Sequence, residues 1–195
     1  MSRIKKIIAF FVFLVLLVVV ARSCIITVAK NIYPVKYKDS VIKYSTEYEI
    51  DPYLVLSVIK AESNFRSTVI SPKKAIGLMQ IMEETGKWAA QEMKIEGFTT
   101  NDLYNPDTNI RIGCWYLSHL EKQFKNYAEA TDDEKEEYVL ASYNGGISNV
   151  KRWIKNTQNN GSGMFHENIT FKETRQYLKR VKGNYKIYKI LYKDI

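Results

Sequence analysis

The feature that most limits this chain is an apolar run of 15 residues, Ile7 to Ala21, IIAFFVFLVLLVVVA. It follows the basic start MSRIKK. A secretory signal has a basic start, a short apolar stretch and a small-residue cleavage site. Arg22 spoils such a site here. Cys24 raises a lipoprotein reading, but Ala21-Arg22-Ser23 fits a lipidation box poorly. An uncleaved anchor needs about 20 apolar residues. Ile4 to Ala29 reaches that length if Lys5 and Lys6 lie at the inner edge and Arg22 snorkels outward. A single-pass membrane helix is the leading expectation, and secretion after signal cleavage is the alternative. Basic flanks stay inside, so residues 31–195 are expected outside the cytoplasm. The expected division is therefore 1–30 for placement and 31–195 for one domain.

Charge follows the same division. The whole chain carries 29 Lys+Arg and 21 Asp+Glu, a net +8. Arg3, Lys5, Lys6, Arg22 and Lys30 take five of those bases, and residues 1–30 hold no acid. That leaves 24 bases against 21 acids, or +3, for residues 31–195. A basic chain suggests a polyanionic partner. Here most of the excess sits beside the apolar run and sets topology instead. No nucleic-acid recognition motif is present, so no nucleic acid is expected as a partner. Two cysteines cannot make a disulfide framework. They and the two histidines are too scattered for a zinc site. No metal and no cofactor is expected.

After a linker over 30–40, the chain carries helix signals almost throughout. Ser40 could open a helix. Asp51-Pro52 is an N-cap followed by proline at the first helical position, which predicts a helix over 53–63. Segment 64–81 reads as irregular, and Thr85 to Met93 as helical. Asn105-Pro106 opens a helix to about Lys125. Thr131-Asp132-Asp133-Glu134 has the capping-box pattern before a helix ending near Ser142. Residues 143–146 and 156–170 read as loops. Ile147 to Lys155 reads as a helix. A last helix begins near Phe171 and could break at Gly183-Asn184. Alternating strand patterns are nearly absent, so the expected fold class is all-α. Cys114 reads as a buried thiol, and His119 and His166 as lacking partners.

One carboxylate stands in an unusual place. Val55, Val58 and Ile59 form an apolar stripe on the helix that Pro52 opens. The next position on that stripe is Glu62. If Glu62 is buried there, its pKa rises, and a raised carboxylic acid beside a cleft suits a general acid near neutral pH. The alternative is that Glu62 marks the helix end and turns to solvent, or pairs with Lys60 or Arg66. Periodicity alone leaves both readings open.

The surrounding residues add to this. Glu62-Ser63-Asn64-Phe65 is followed by Gly77-Leu78-Met79-Gln80, Asn105 to Leu120, Ala141 to Gly146, and Glu173-Thr174-Arg175-Gln176-Tyr177. In this order the motifs resemble the catalytic domain of the soluble lytic murein transglycosylase family, whose relatives include goose-type lysozymes. The resemblance covers about residues 38–190. It implies a bacterial protein with a lysozyme-like all-α domain. It also implies cleavage of the β-1,4 bond between N-acetylmuramic acid and N-acetylglucosamine without water, leaving a 1,6-anhydromuramoyl end. A hydrolytic muramidase and an inactive peptidoglycan-binding scaffold in a cell-envelope complex are the alternatives. The implied partners are peptidoglycan glycan strands and, through the first helix, the membrane.

By this resemblance the catalytic acid is Glu62. Ser71, Gly77, Met79, Gln80, Tyr143, Asn144 and Glu173 are implied substrate-binding positions. Ser63 and Tyr177 are supporting ones. Gly77 is expected to let backbone approach sugar, and Met79 to offer an adaptable apolar surface. Tyr143 could bond the sugar or orient Glu62. The chain departs from the family pattern at Lys74, where glycine is common, and at Glu83, where proline is. Gly145-Gly146 replaces the commoner Ala-Gly.

Overall fold

A computed structural model describes residues 3–159, 164–193 and 195. The described residues form helices α1 (Arg3–Ile32), α2 (Lys38–Glu47), α3 (Pro52–Glu62), α4 (Glu83–Glu92), α5 (Pro106–Phe124), α6 (Asp132–Gly145), α7 (Ile147–Asn159), α8 (Phe165–Asn168) and α9 (Lys172–Leu191). A 3-10 turn at Thr100–Tyr104 precedes α5. The expected all-α class is what the structure has.

Local chemistry starts the helices where the sequence indicated. Asp51 accepts a bond from the Tyr53 amide, and Pro52 occupies the first turn of α3. Asn105 accepts from the Asp107 and Thr108 amides at the start of α5. Thr131 and Glu134 bond each other's backbone amides in a full capping box. A lost cap of this kind costs about 1 kcal/mol.

Helix α3 is the centre of the core. Val55, Leu56, Val58 and Ile59 are completely buried. Its apolar stripe therefore extends nearly all round, as expected of a helix wrapped by others. Helix α9 lies antiparallel along it. Asn184 Nδ2 donates to the Ser57 carbonyl, and Tyr185 Oη donates to Asp51. Helix α2 packs on another side of α3, α5 packs on α2 and α6, and α6 packs on α9, with Ile110, Ile112, Leu117, Leu140 and Ala141 fully buried.

Four local expectations change. Helix α6 runs on through Gly145, because Thr174 donates to Asn144 Oδ1 and holds the last turn against α9. Helix α9 does not break at Gly183-Asn184, since Asn184 is tied to α3. The expected loop over 156–170 is partly helical: α7 reaches Asn159, and α8 is anchored by buried Phe165 against the Tyr138 ring at 4.6 Å. Residues 160–163 of it lie outside the described residues. The histidines do have neighbours. His119 stacks on Trp115, and His166 Nδ1 lies 4.0 Å from Glu137. Cys114 is buried, and burial pushes its thiol pKa up.

Helix α1 differs from the rest because none of its residues is buried. Its end and the residues just after it nevertheless touch the rest of the chain. Tyr192 Oη donates to the Tyr33 carbonyl at 2.8 Å, and Tyr188 Oη to the Pro34 carbonyl at 3.1 Å. Lys60 Nζ donates to the Ile32 carbonyl.

Candidate active site

Glu62 is the last residue of α3, and Ser63 caps the helix. The chain then turns sharply. Asn64 and Phe65 both take left-handed backbone, with φ of 51° and 63°. Each such residue costs of order 1 kcal/mol. Buried Phe65 holds the turn in the core. Glu62 itself is partly buried, so the solvent-facing alternative fails. Burial raises its pKa to about 7. Tyr177 and Arg180 oppose that rise by favouring the carboxylate, and the negative charge of Glu173 adds to it.

Two tyrosines stand beside the acid. Tyr143 and Tyr177 have pKa values raised well above the usual, first by burial and then by the Glu62 charge. Tyr143 Oη donates to the Met79 carbonyl at 2.8 Å, so its proton is committed to backbone. It retains lone pairs that could accept from protonated Glu62. The buried Tyr177 hydroxyl makes no well-formed hydrogen bond, yet it interacts with the Glu62 carboxyl. A small movement would complete that bond, as catalytic contacts often tighten with substrate.

The loop before α4 makes one wall. Ile76 bridges to Ile70 and Ile81 in short antiparallel contacts. Ser71 Oγ accepts from the Ala75 amide, closing the turn. Lys74 has φ of 64°, the left-handed conformation that glycine takes most easily. That gives the family's common glycine there a physical reason. Glu83 opens α4 and pairs with Lys87 at 2.6 Å. Proline also fits a first helical position. Gln80 Nε2 donates to the Val69 and Gly77 carbonyls, which leaves its Oε1 free of those two bonds.

Two expected sugar contacts turn inward. A Cβ on Gly77 would lie 2.4 Å from Asn109 Nδ2 and 2.5 Å from the Leu103 carbonyl. The close approach that Gly77 permits is to protein, not to sugar. Met79 is fully buried, and its Sδ fills the space over Gly113 where a Cβ would stand 2.2 Å away. Its adaptable side chain fills the core, and its carbonyl accepts from Tyr143 Oη. Ser63 is also buried, with Oγ donating to the Ile59 carbonyl. Its place is local support.

The opposite wall comes from α6 and α9. Asn144 and Glu173 line a hollow with Lys73, Gly145, Phe171 and Thr174. Glu173 Oε2 pairs with Lys73 Nζ at 2.9 Å, both exposed, and so joins the loop wall to α9. The structure brings Glu62, Tyr143, Tyr177 and Glu173 into electrostatic contact. Ser63, Gly77 and Met79 stand behind them.

Three contributors were not singled out in the sequence. Arg180 acts on the Glu62 charge. Its signal was its position three residues past Tyr177, on the same helix face. Thr174 holds Asn144. Asn109 is 1% exposed; its Nδ2 donates to the Ile76 and Leu103 carbonyls, and its Oδ1 accepts from the Met79 amide. One amide thereby fixes the loop to α5. Only its position inside an otherwise apolar helix stripe could have revealed it.

Known proteins share the family and the fold. Residues 39–164 match the family described as "Transglycosylase SLT domain". The soluble lytic murein transglycosylase of Escherichia coli K12 is 33% identical over 151 residues, 76% of this chain and 22% of that protein. The membrane-bound lytic murein transglycosylase C of Edwardsiella ictaluri is 28% identical over 175 residues, 79% of this chain and 46% of that protein. This chain thus spans less than half the length of those relatives. Among solved structures, the 70 kDa soluble lytic transglycosylase of Escherichia coli superposes with a TM-score of 0.73 at 29% identity, covering 85% of this chain and 26% of that one. An inactive mutant of the Pseudomonas aeruginosa lytic transglycosylase Slt gives 0.69 at 27%, covering 82% and 25%. The helical fold is that of the lytic transglycosylases, and the chain belongs to the transglycosylase SLT domain family.

Proposed function

We propose that this chain is a peptidoglycan lytic transglycosylase with Glu62 as general acid and base. The observation that carries the reading is the burial of Glu62, which raises its pKa to about 7. An acid so placed is substantially protonated at neutral pH and can still act as base after it has given up its proton.

In the proposed reaction Glu62 donates its proton to the glycosidic oxygen between N-acetylmuramic acid and N-acetylglucosamine. The C1–O bond breaks, and positive charge develops at C1. The substrate's own 2-acetamido oxygen stabilises that charge, which removes the need for a second enzyme carboxylate. The 6-hydroxyl of the same muramic acid then attacks C1, and Glu62 takes its proton. The products are a 1,6-anhydromuramoyl end and a free 4-hydroxyl. Tyr177 and Arg180 favour the carboxylate form of Glu62 and so ease the first proton transfer. Tyr143 reaches the acid from α6. Asn144, Gln80, Ser71 and Glu173 supply the polar groups open to sugar or peptide.

The proposed location is the outer face of a bacterial membrane. Helix α1 has 30 residues. At 1.5 Å per residue that is about 45 Å, more than the ~30 Å hydrocarbon layer. Basic residues at its start favour a cytoplasmic N-terminus.

Digestion of purified sacculi by the full chain, followed by mass spectrometry, tests the reaction. Anhydro ends are expected. Reducing muramic acid ends would mark a hydrolytic muramidase and overturn the proposal.

A further inference from the structure

Beyond the anchor reading, α1 and the end of α9 form a second feature that the catalytic site does not use. The two helices meet at Tyr33, Tyr188 and Tyr192 and then diverge. Tyr33 lies edge-on to Tyr188 at 5.7 Å, and Lys30 sits over the Tyr192 ring at 5.2 Å. Below this seam they leave a wedge of about 500 Å³. Leu17, Val18, Ala21, Ile25 and Ile26 line it from α1, and Ile190 and Leu191 from α9. The one charged group among the lining residues is Arg22. Ile190 is 77% exposed, a large apolar side chain turned to the outside at the tip of a basic helix.

The depth of this wedge follows from the anchor. A ~30 Å hydrocarbon layer takes about 20 helical residues. Counted from Lys6, it ends near Ile26. The α1 side of the wedge thus lies in the outer leaflet, and Ile190 and Leu191 stand at its boundary. Tyr33, Tyr188 and Tyr192 then fall at the headgroup level, where aromatic residues gather. Lys30 and Lys193 flank them. An apolar wedge of this shape, open to lipid and holding one guanidinium, matches one kind of occupant. An acyl chain fits the apolar walls, and a phosphate pairs with Arg22.

We propose that a phospholipid of the outer leaflet fills this wedge, with its phosphate on Arg22, and that Ile190 and Leu191 insert at the membrane boundary. This rests on the reading of α1 as a spanning helix. The domain is then tied to the bilayer at two places, α1 and the tip of α9, and cannot swing freely about a linker. Helix α9 runs from Tyr177, beside Glu62, to Ile190, a rise of about 20 Å. The acid is held that far along the helix from the bilayer contact.

The test uses the full chain with Cys24→Ser, so that the buried Cys114 is the only native thiol left. Single cysteines at Ile190, Leu14 and Lys151 receive an environment-sensitive fluorophore. The protein is reconstituted in vesicles of phosphatidylcholine and phosphatidylglycerol with spin-labelled lipids. We expect the fluorophore at 190 to lose at least half its emission to a shallow label. Leu14 should respond to a deep label, and exposed Lys151 on α7 to neither. Arg22→Gln should at least halve the quenching at 190. If 190 stays unquenched while Leu14 is quenched, the lipid wedge is overturned and the anchor stands. If Leu14 is unquenched as well, the anchor reading falls and the wedge with it. Unchanged quenching in the Arg22→Gln chain would overturn the phosphate contact.

Discussion

Among the described residues, two carboxyl groups are pushed up to about 7, Glu62 and Glu121. They lie in different surroundings. Glu62 closes α3 among buried aromatic hydroxyls. Glu121 is on α5, in an open hollow of about 450 Å³ shared with Glu136, Asp51 and the lysines 122, 125 and 135. Burial comes first in both shifts. Yet Glu121 is exposed over the whole residue, and its second contribution is repulsion from Glu136. Water and the neighbouring lysines screen such a shift. The pair teaches that a raised pKa alone does not nominate a general acid. What separates Glu62 is that Tyr177, Tyr143 and Arg180 converge on it from three turns of two helices.

The largest expected difference between the two sites is in turnover. Glu62→Gln should lower sacculus digestion by about 10³-fold, within the usual range for a lost general acid. The same variant probes linkage to folding. The folded pKa of Glu62 lies above its unfolded value near 4.5, so the stability tied to its protonated form is whole below about pH 4.5 and is lost as pH rises to about 7. A full shift of that size corresponds to about 3 kcal/mol. Urea titrations at pH 5 and pH 8 should therefore show a smaller fall in stability for Glu62→Gln than for the native chain. An equal fall would remove Glu62 as the buried acid.

Tyr177→Phe comes next. It removes a group that favours the Glu62 carboxylate, so the alkaline limb of the pH–rate profile should move up while turnover drops about tenfold. A profile that keeps its limb would make Tyr177 a packing residue only. Glu173→Gln acts in the opposite sense. Loss of a nearby negative charge lowers the pKa of Glu62, and the alkaline limb should move down, with turnover changed about threefold. Last is Glu121→Gln, for which digestion should stay within about twofold of native and the limb should not move. A loss comparable to that of Glu62→Gln would reverse the assignment of the two sites.

The sequence carried the helix starts well, because caps are local. Asp51-Pro52, Asn105-Pro106 and Thr131 to Glu134 act within one turn, and all form as expected. It carried the end of α6 poorly. Asn144 stays helical because Thr174, 30 residues later, donates to it. No local pattern encodes such a bond. The site divides in the same way. Glu62 stood out by its place on an apolar stripe. The inward turn of Gly77 and Met79 did not, since the Gly-Leu-Met-Gln stretch does not show which of its side chains face the core. Asn109 and Gly113, which receive them, are distant in sequence.

The three bonds of Asn109 have a consequence for which changes the fold can accept. Aspartate has nearly the same shape, but its carboxylate has only acceptors. At this position it would set an anion against the carbonyls of Ile76 and Leu103, both accepting from the native amide. Leucine, of similar bulk, would leave the Met79 amide and the Leu103 carbonyl without partners, while the Ile76 carbonyl would keep its bond from the Ile81 amide. Glutamine carries the same amide one methylene too far for a pocket with no spare room. The cleft wall therefore depends less on the size of this side chain than on which of its two end atoms carries hydrogen.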